Sequence, residues 1–114
     1  MNNASFNYVR AFRQKHGLTA RELTFLLGHR SHTVLAKVEA GERLPSLRTA
    51  FCLQVIFRRT PHRVLPALYE AAEDDVMRRV ATLLGRLERK TDIRSVAKRE
   101  YLEGLAEASA EHEV

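Results

Sequence analysis

Two short helical patterns joined by a glycine-containing turn lie between residues 17 and 46, and they constrain the fold more than any other feature. Thr19 precedes the first pattern, and Glu22 follows three residues later. This spacing lets a hydroxyl and a carboxylate satisfy the first free amides of a helix. Apolar residues then recur at helical spacing until Gly28, which can take the left-handed conformation that ends a helix. The sequence therefore predicts a helix from about Ala20 to Gly28.

A second helix is predicted directly after this turn. Ser31 can cap it, and Gly41 can end it in the same way as Gly28. Leu35 and Val38 are three residues apart and define its inward side. The outward side is then left to small or polar residues, with a histidine at its N-terminal edge: His32, Thr33, Ala36, Lys37 and Ala40.

One helix is predicted before this pair and another after it. The earlier helix begins after Ser5, buries Val9 and Phe12, and closes at Gly17. The later helix is capped by Ser46. Its inward stripe is expected to form the main wall of the core and consists of Leu47, Ala50, Phe51, Val55 and Ile56.

Proline and amphipathic spacing organise the rest of the chain. Thr60 is a predicted cap, and Pro61 suits the first position of a short helix because its missing amide costs nothing there. Pro66 either ends that helix or opens the next. A longer amphipathic helix is predicted over residues 73–90. A last helix, capped by Thr91 or Asp92, is expected to carry along one side Ile93, Val96, Ala97, Tyr101, Leu102 and Leu105.

Charge is distributed unevenly and divides the chain into two predicted parts. Residues 1–69 contain eleven Lys or Arg and three acidic residues, whereas residues 70–114 contain eight basic and eleven acidic residues. A surface that binds nucleic-acid phosphates requires such a basic part, but the same arginines can equally solvate a small helical domain. We predict an all-α protein with a compact five-helix headpiece over residues 1–69 and one or two C-terminal amphipathic helices over residues 70–114.

The sequence predicts a soluble, cytoplasmic protein that is not an enzyme and has no cofactor or metal site. It contains no run of about 18 apolar residues, and its N-terminus lacks the features of a secretory signal. Cys52 is the only cysteine, lies in an apolar helix and is expected to be a buried thiol. His29 and His32 are three residues apart, but no carboxylate or cysteine completes a ligand set. No phosphate-cradling glycine loop or pair of catalytic carboxylates occurs.

The chain resembles helix-turn-helix proteins of the Cro/lambda-repressor type, also called the xenobiotic-response-element family, from about Tyr8 to Leu68. The shared pattern runs through Gly17-Leu18-Thr19, Glu22-Leu23, Leu27-Gly28, Val38-Glu39, Gly41 and Arg43-x-Pro45-Ser46. The resemblance implies a bundle of about five helices whose third helix lies in the major groove of DNA. It also implies a structural ion pair between Arg13 and Glu39. Thr24 stands where the family has a small alanine.

The expected reading surface is the outward side of the predicted third helix. Thr33 can contact a base edge or a thymine methyl group, and Lys37 can reach guanine acceptors or a phosphate. Ala36 permits close approach, and His32 lies where a recognition helix first meets the bases. Phosphate contacts are expected from three arginines outside this helix, Arg30, Arg43 and Arg48. The predicted function is a sequence-specific regulator of transcription that binds double-stranded DNA and represses as a dimer.

The C-terminal amphipathic helices leave two interpretations open. They either cover the headpiece or pair with a second copy through residues 73–105, and two-fold symmetric operators favour the homodimer. An alternative function is an antitoxin-like or assembly module whose C-terminal helices hold another protein. A partner protein that modulates the regulator is also compatible with the absence of a large effector domain.

Overall fold

Seven α-helices and no strands make up residues 6–112, the part of the chain that the computed structural model describes. The prediction of an all-α fold is confirmed over these residues. Ser5, after which the first helix is predicted to begin, lies outside them. None of the seven is long and apolar enough to cross a membrane. The helices are α1 (Val9–Lys15), α2 (Ala20–Leu26), α3 (His32–Glu39), α4 (Leu47–Phe57), α5 (Pro61–Val64), α6 (Pro66–Leu87) and α7 (Ile93–His112).

Backbone contacts divide the chain into two compact units, one ending at Ala71 and the other beginning at Ala72. In the first unit, α1 contacts α3 and α4, α2 contacts α3, and α4 contacts α5. Pro66 opens α6, where its fixed φ suits the first helical turn. Helix α6 therefore starts in the first unit and continues into the second.

Glycine in the left-handed conformation follows each of the first three helices. Gly17, Gly28 and Gly41 have φ angles of 72°, 76° and 76°. After α2, the amides of Gly28 and the next residue donate to the carbonyls of Phe25 and Thr24 at 2.9 and 3.1 Å. These bonds satisfy carbonyls that the helix leaves free. A side chain at Gly28 or Gly41 would strain this backbone. The prediction that these glycines end their helices in the left-handed conformation is therefore confirmed.

The predicted capping box of α2 is present. The amide of Glu22 donates to Thr19 Oγ1 at 3.0 Å, and Glu22 Oε1 accepts from the amide of Thr19 at 2.9 Å. The hydrogen bond from the Thr19 amide, with a smaller contribution from its side chain, holds the pKa of Glu22 below its ordinary value. Ser31 and Ser46 cap α3 and α4 as predicted. Thr60 occupies the N-cap position of α5, but its side chain makes no cap hydrogen bond.

Protonation of Glu22 is expected to weaken the start of α2. Because folding lowers the pKa of this carboxyl, its contribution to stability is fully present above the pKa of the unfolded chain. That contribution is lost as the pH falls through the lower folded pKa. Urea unfolding from about pH 7 to about pH 2 should therefore show a smaller pH dependence for Glu22→Gln than for the wild type. Glu70→Gln, an exposed position in α6, is the matched control. A Glu22→Gln profile parallel to that of the wild type would contradict the prediction.

Every helix from α1 to α5 contributes to the core of the first unit. The predicted burial of Val9 and the inward side of α3 are confirmed, and Phe12 is half-buried against this core. The ring of Phe12 stacks on that of Phe57 at a centroid distance of 5.6 Å. The buried apolar side chains are Val9, Leu23, Leu27, Leu35, Val38, Leu53, Phe57, Val64 and Leu65.

The predicted inward stripe of α4 is wrong for three of its five residues. Leu47, Phe51 and Val55 are 72%, 53% and 77% exposed, whereas the buried face of α4 is formed by Thr49, Leu53 and Phe57. Ala50 and Ile56 are half-buried beside that face. Both sides of this helix carry apolar residues at helical spacing, so the pattern alone does not distinguish them.

Hydrogen bonds within the second unit hold the end of α6 and the start of α7. Arg99 Nη1 donates to the carbonyls of Leu87 and Lys90, both at 2.6 Å, and so supplies a hydrogen-bond donor to carbonyls at the C-terminal end of α6. The amide of Ser95 donates to Asp92 Oδ2 at 3.1 Å. Asp92 therefore caps α7, and its hydrogen bonds with the Ser95 side chain and backbone lower its pKa.

The outer side of α7 carries three apolar residues that the sequence placed on its inward side, Ile93, Ala97 and Tyr101. Ile93 is 88% exposed and Tyr101 is 68% exposed, whereas Leu102 and Leu105 are half-buried. At about 100° per residue, Leu102 lies on the opposite side of the helix from Ile93. The single-stripe prediction for α7 is therefore wrong at these three positions.

Candidate nucleic-acid interface

The outward side of α3 is exposed over a broad arc. Leu35 and Val38 are 2% and 1% exposed and fix the orientation of the helix in the core. From His32 to Lys37 the outward residues span about 140° of the helix circumference, at about 100° per residue. All are exposed, and none is acidic: His32, Thr33, Ala36, Lys37 and Ala40.

The hydroxyl of Thr33 is held at the start of α3 by its cap. Thr33 donates its amide to Ser31 Oγ at 3.1 Å, and the Ser31 hydroxyl donates to Thr33 Oγ1 at 3.0 Å. Because Thr33 accepts in this second bond, its own proton remains available to an outside acceptor. Thr33 can thus donate to a base edge from a fixed position.

Two histidines, His29 in the α2–α3 turn and His32 at the start of α3, contact buried threonines, a feature that the sequence analysis did not find. His32 Nδ1 lies 3.3 Å from Thr24 Oγ1, and His29 Nε2 lies 3.4 Å from Thr49 Oγ1. Both threonine side chains are less than 10% exposed, and buried hydroxyls require partners. Thr24 and Thr49 lie among apolar core residues in the sequence, and a buried hydroxyl needs a partner. This need was the signal that could have indicated the two contacts.

The opposite end of α3 is fixed by residues from the start of the chain. Arg13 Nε donates to Glu39 Oε2 at 2.8 Å, and Arg13 Nη2 donates to Glu39 Oε1 at 3.2 Å. Arg13 Nη1 also donates to the carbonyl of Leu18 at 3.0 Å. The hydrogen bond with Glu39 raises the pKa of Arg13 above its ordinary value. Asn7 Nδ2 donates to the carbonyl of Val38 at 2.9 Å, so α3 is held at both ends.

The three arginines predicted to contact phosphates are exposed, but they lie on separate segments. Arg30 is in the turn before α3, Arg43 is in the loop after it, and Arg48 is in the first turn of α4. Arg48 Nη1 also lies 3.6 Å from the sulfur of Cys52. Cys52 is half-buried against the core rather than fully buried, so the predicted buried thiol is confirmed only in part.

Positive charge near this surface is largely uncompensated. Residues 6–69 contain three acidic residues. Glu39 is paired with Arg13, and Glu22 is engaged in the cap of α2. Glu42 is the remaining one and is exposed in the loop after α3. The unit therefore presents an excess of basic side chains, which attracts polyanions at low salt.

The surface combines a rigid helix, a fixed hydroxyl donor, small side chains and flanking cations. Among residues 6–112 there is no group of three His, Cys, Asp or Glu side chains arranged to hold a metal ion. The arrangement suits contact with a large polyanion that has grooves wide enough to admit a helix. Comparison of the chain with protein-family models, curated proteins and solved structures finds no match.

Proposed function

We propose that this chain is a sequence-specific regulator of transcription that binds double-stranded DNA as a helix-turn-helix protein. In this proposal α1 to α5 form the five-helix headpiece, and α3 is the recognition helix. The observation that carries the proposal is the outward face of α3, which is exposed over about 140° and free of acidic residues. The resemblance to the Cro/lambda-repressor type supports the same assignment.

Base readout is assigned to the side chains on α3. Thr33 donates its hydroxyl proton to a base acceptor or offers its methyl group to thymine, and Lys37 donates to guanine O6 or N7. Ala36 lets the helix approach the base edges closely. His32 meets the groove at the N-terminal end of the helix. Because Arg13 and Glu39 fix the helix in the core, these groups reach the bases without large rearrangement.

Phosphate binding is assigned to Arg30, Arg43 and Arg48. Contacts to phosphates orient a protein on the duplex and supply affinity that does not depend on sequence. A headpiece bound in this way blocks a promoter by occupying it. We therefore propose repression by a dimer, since two headpieces read a two-fold symmetric operator.

Removing the side chains of Lys37 or Thr33 should weaken specific binding while the fold stays intact. Lys37→Ala and Thr33→Ala should each cost about 1–3 kcal/mol against a duplex selected from a random pool. Fluorescence anisotropy measures this loss, and circular dichroism checks the fold. Lys15→Ala, which removes a positive charge from an exposed site on α1, is the control.

Competition with unrelated DNA distinguishes base readout from simple charge. Lys15→Ala should lose little affinity, and Lys37→Ala should lose more affinity for the selected duplex than for a shuffled one. Arg43→Ala should weaken binding to both duplexes alike. It should also reduce the slope of log affinity against log salt concentration by about one. If both α3 variants bind the selected duplex with full affinity, α3 is not the helix that contacts the bases.

A protein-interaction module of the antitoxin or assembly type is the second candidate function. The exposed Ile93 and Tyr101 on α7 favour it, because large exposed apolar residues often mark sites of protein contact. Salt separates the two candidates. Binding to duplex DNA that falls steeply with added salt supports the regulator. Salt-insensitive binding of a protein through α7, with no affinity for DNA, supports the module.

A further inference from the structure

The outer side of α4 carries an apolar stripe that the proposed DNA site does not use. Leu47, Phe51 and Val55 follow one another at four-residue spacing and are 72%, 53% and 77% exposed. We call these three residues the outer stripe. They lie roughly opposite the buried residues Leu53 and Thr49 at about 100° per residue. Helix α4 is thus apolar on both sides, a pattern typical of a helix that is covered on both sides.

A groove lies at the C-terminal end of the outer stripe. Its volume is about 490 Å³, and it is lined by Phe51, Gln54, Val55, Arg58, Arg59 and Thr60. Arg58 ends α4 in the left-handed conformation, with φ 57° and ψ 38°. The chain therefore turns at this point, and both arginines line the groove together with Phe51 and Val55.

The chain segment that carries the outer stripe has charges of one sign only. From Arg43 to Tyr69 the chain contains no aspartate or glutamate. The same segment contains five arginines, all exposed: Arg43, Arg48, Arg58, Arg59 and Arg63. A ligand that covers this side of α4 gains from apolar contact in the middle and from acidic groups at the edges.

We propose that the outer stripe and its groove dock an acidic amphipathic helix of a partner protein. Apolar side chains of the partner, spaced one helical turn apart, pack on Leu47, Phe51 and Val55. Its carboxylates pair with Arg58 and Arg59 at the rim of the groove. Binding of this kind does not depend on DNA.

A second copy of the same surface is a poorer occupant. Two outer stripes packed face to face would bring the arginines of one copy against those of the other, and like charges in contact oppose association. Three apolar side chains are also far fewer than the roughly 20–30 residues that each side of a stable interface contributes. A single helix inserted into a groove requires much less surface.

Titration of the full-length chain with a synthetic helix tests the proposal. The probe is a fluorescent peptide of about 18 residues with leucines at positions i, i+4, i+7 and i+11 and glutamates at most other positions. A second peptide with lysine in place of glutamate and a third with scrambled order are the ligand controls. We expect saturable binding of the acidic helix alone, measured by anisotropy without DNA.

Substitutions on the outer stripe identify the binding site. Val55→Gln and Phe51→Ser should each weaken binding of the acidic peptide about tenfold or more. Phe25→Ser is the matched control, because Phe25 is 80% exposed on a different helix, α2, and does not line the groove. Arg59→Glu should weaken the acidic peptide and strengthen the lysine peptide. Val55 is 77% exposed, so Val55→Gln removes little buried contact and should leave the fold stable. This variant therefore tests the binding site even if Phe51→Ser lowers the stability of the fold.

Three outcomes would overturn the proposal. The first is equal affinity of the acidic peptide for the wild type, Val55→Gln and Arg59→Glu. The second is equal binding of the lysine peptide and the acidic peptide, or no binding of either. The third is self-association of the chain that Val55→Gln abolishes in sedimentation without peptide, which would assign the outer stripe to a second copy. A loss of DNA binding in the α3 variants has no bearing on these results.

Discussion

Replacing Arg13 with methionine should destabilise the protein by about 3–5 kcal/mol, the range for an ion pair broken in a protein interior. The side chains of Arg13 and Glu39 are only 12% and 10% exposed, so removal of one leaves a poorly hydrated charge. Arg13 also donates to the carbonyl of Leu18, which would lose its partner. Urea unfolding followed by circular dichroism measures the loss.

A double-mutant cycle distinguishes an ion pair from two independent packing positions. Arg13→Met combined with Glu39→Met should be less destabilised than Arg13→Met alone, because the double variant leaves no buried unpaired charge. Lys15→Met, on an exposed position of α1, is the control for removal of a cation and should change stability by less than about 0.5 kcal/mol. Simple additivity of the two single variants would count against the pair.

Local signals predicted the ends of helices well. The cap at Thr19, the serine cap at Ser31 and the glycine turn at Gly28 depend on residues within four positions of one another. Their geometry is set by the free amides and carbonyls of a single helix, so it can be read without knowledge of the rest of the fold. Pro66 was ambiguous for the same reason, because proline suits both the end of one helix and the start of another.

Contacts between distant segments could not be predicted in the same way. The pairs His32–Thr24 and His29–Thr49 join residues eight and twenty positions apart. Arg99 reaches back twelve positions to the carbonyl of Leu87. No periodic pattern encodes such distances, since they depend on how the helices pack. The Arg13–Glu39 contact was predicted only because the resemblance supplied it.

The inward sides of α4 and α7 were mispredicted for a related reason. On α4, Leu53 and Phe57 face the core while Phe51 and Val55 face outward, and both sets have helical spacing. Periodicity identifies an amphipathic helix when one side is polar, and it gives no answer when both sides are apolar. The exposed set is then a candidate for contact with another molecule.

Breaking the dimer through α7 should reduce the affinity for a two-fold symmetric operator by about 10²–10⁴-fold, the usual gain from linking two binding units. We propose that the copies pair through residues 73–105. The exposed apolar residues there support this proposal: Val76 at 48%, Leu83 at 38%, Ile93 at 88% and Tyr101 at 68%. Ile93→Glu combined with Tyr101→Glu places charges on the outer side of α7, where they oppose burial in an interface.

Sedimentation and two DNA probes together test the dimer. The wild type at tens of micromolar should sediment as a dimer, and the double glutamate variant should sediment as a monomer. Affinity for a duplex with a single half-site should be the same for both, because α3 is unchanged. The second probe carries two half-sites spaced about 34 Å apart or at a multiple of that distance. The extra affinity that the wild type gains on this probe should be lost in the double glutamate variant.

A control variant distinguishes loss of the dimer interface from electrostatic repulsion between added carboxylates and DNA. Ala81→Glu introduces a carboxylate on an exposed position of α6, on the other side of that helix from Leu83 at about 100° per residue. This variant should remain a dimer and retain the affinity for the full operator. If the wild type sediments as a monomer both with and without DNA, the proposed dimer is wrong. In that case the exposed apolar side chains of α7 belong to a different contact, and the operator is read by one headpiece at a time.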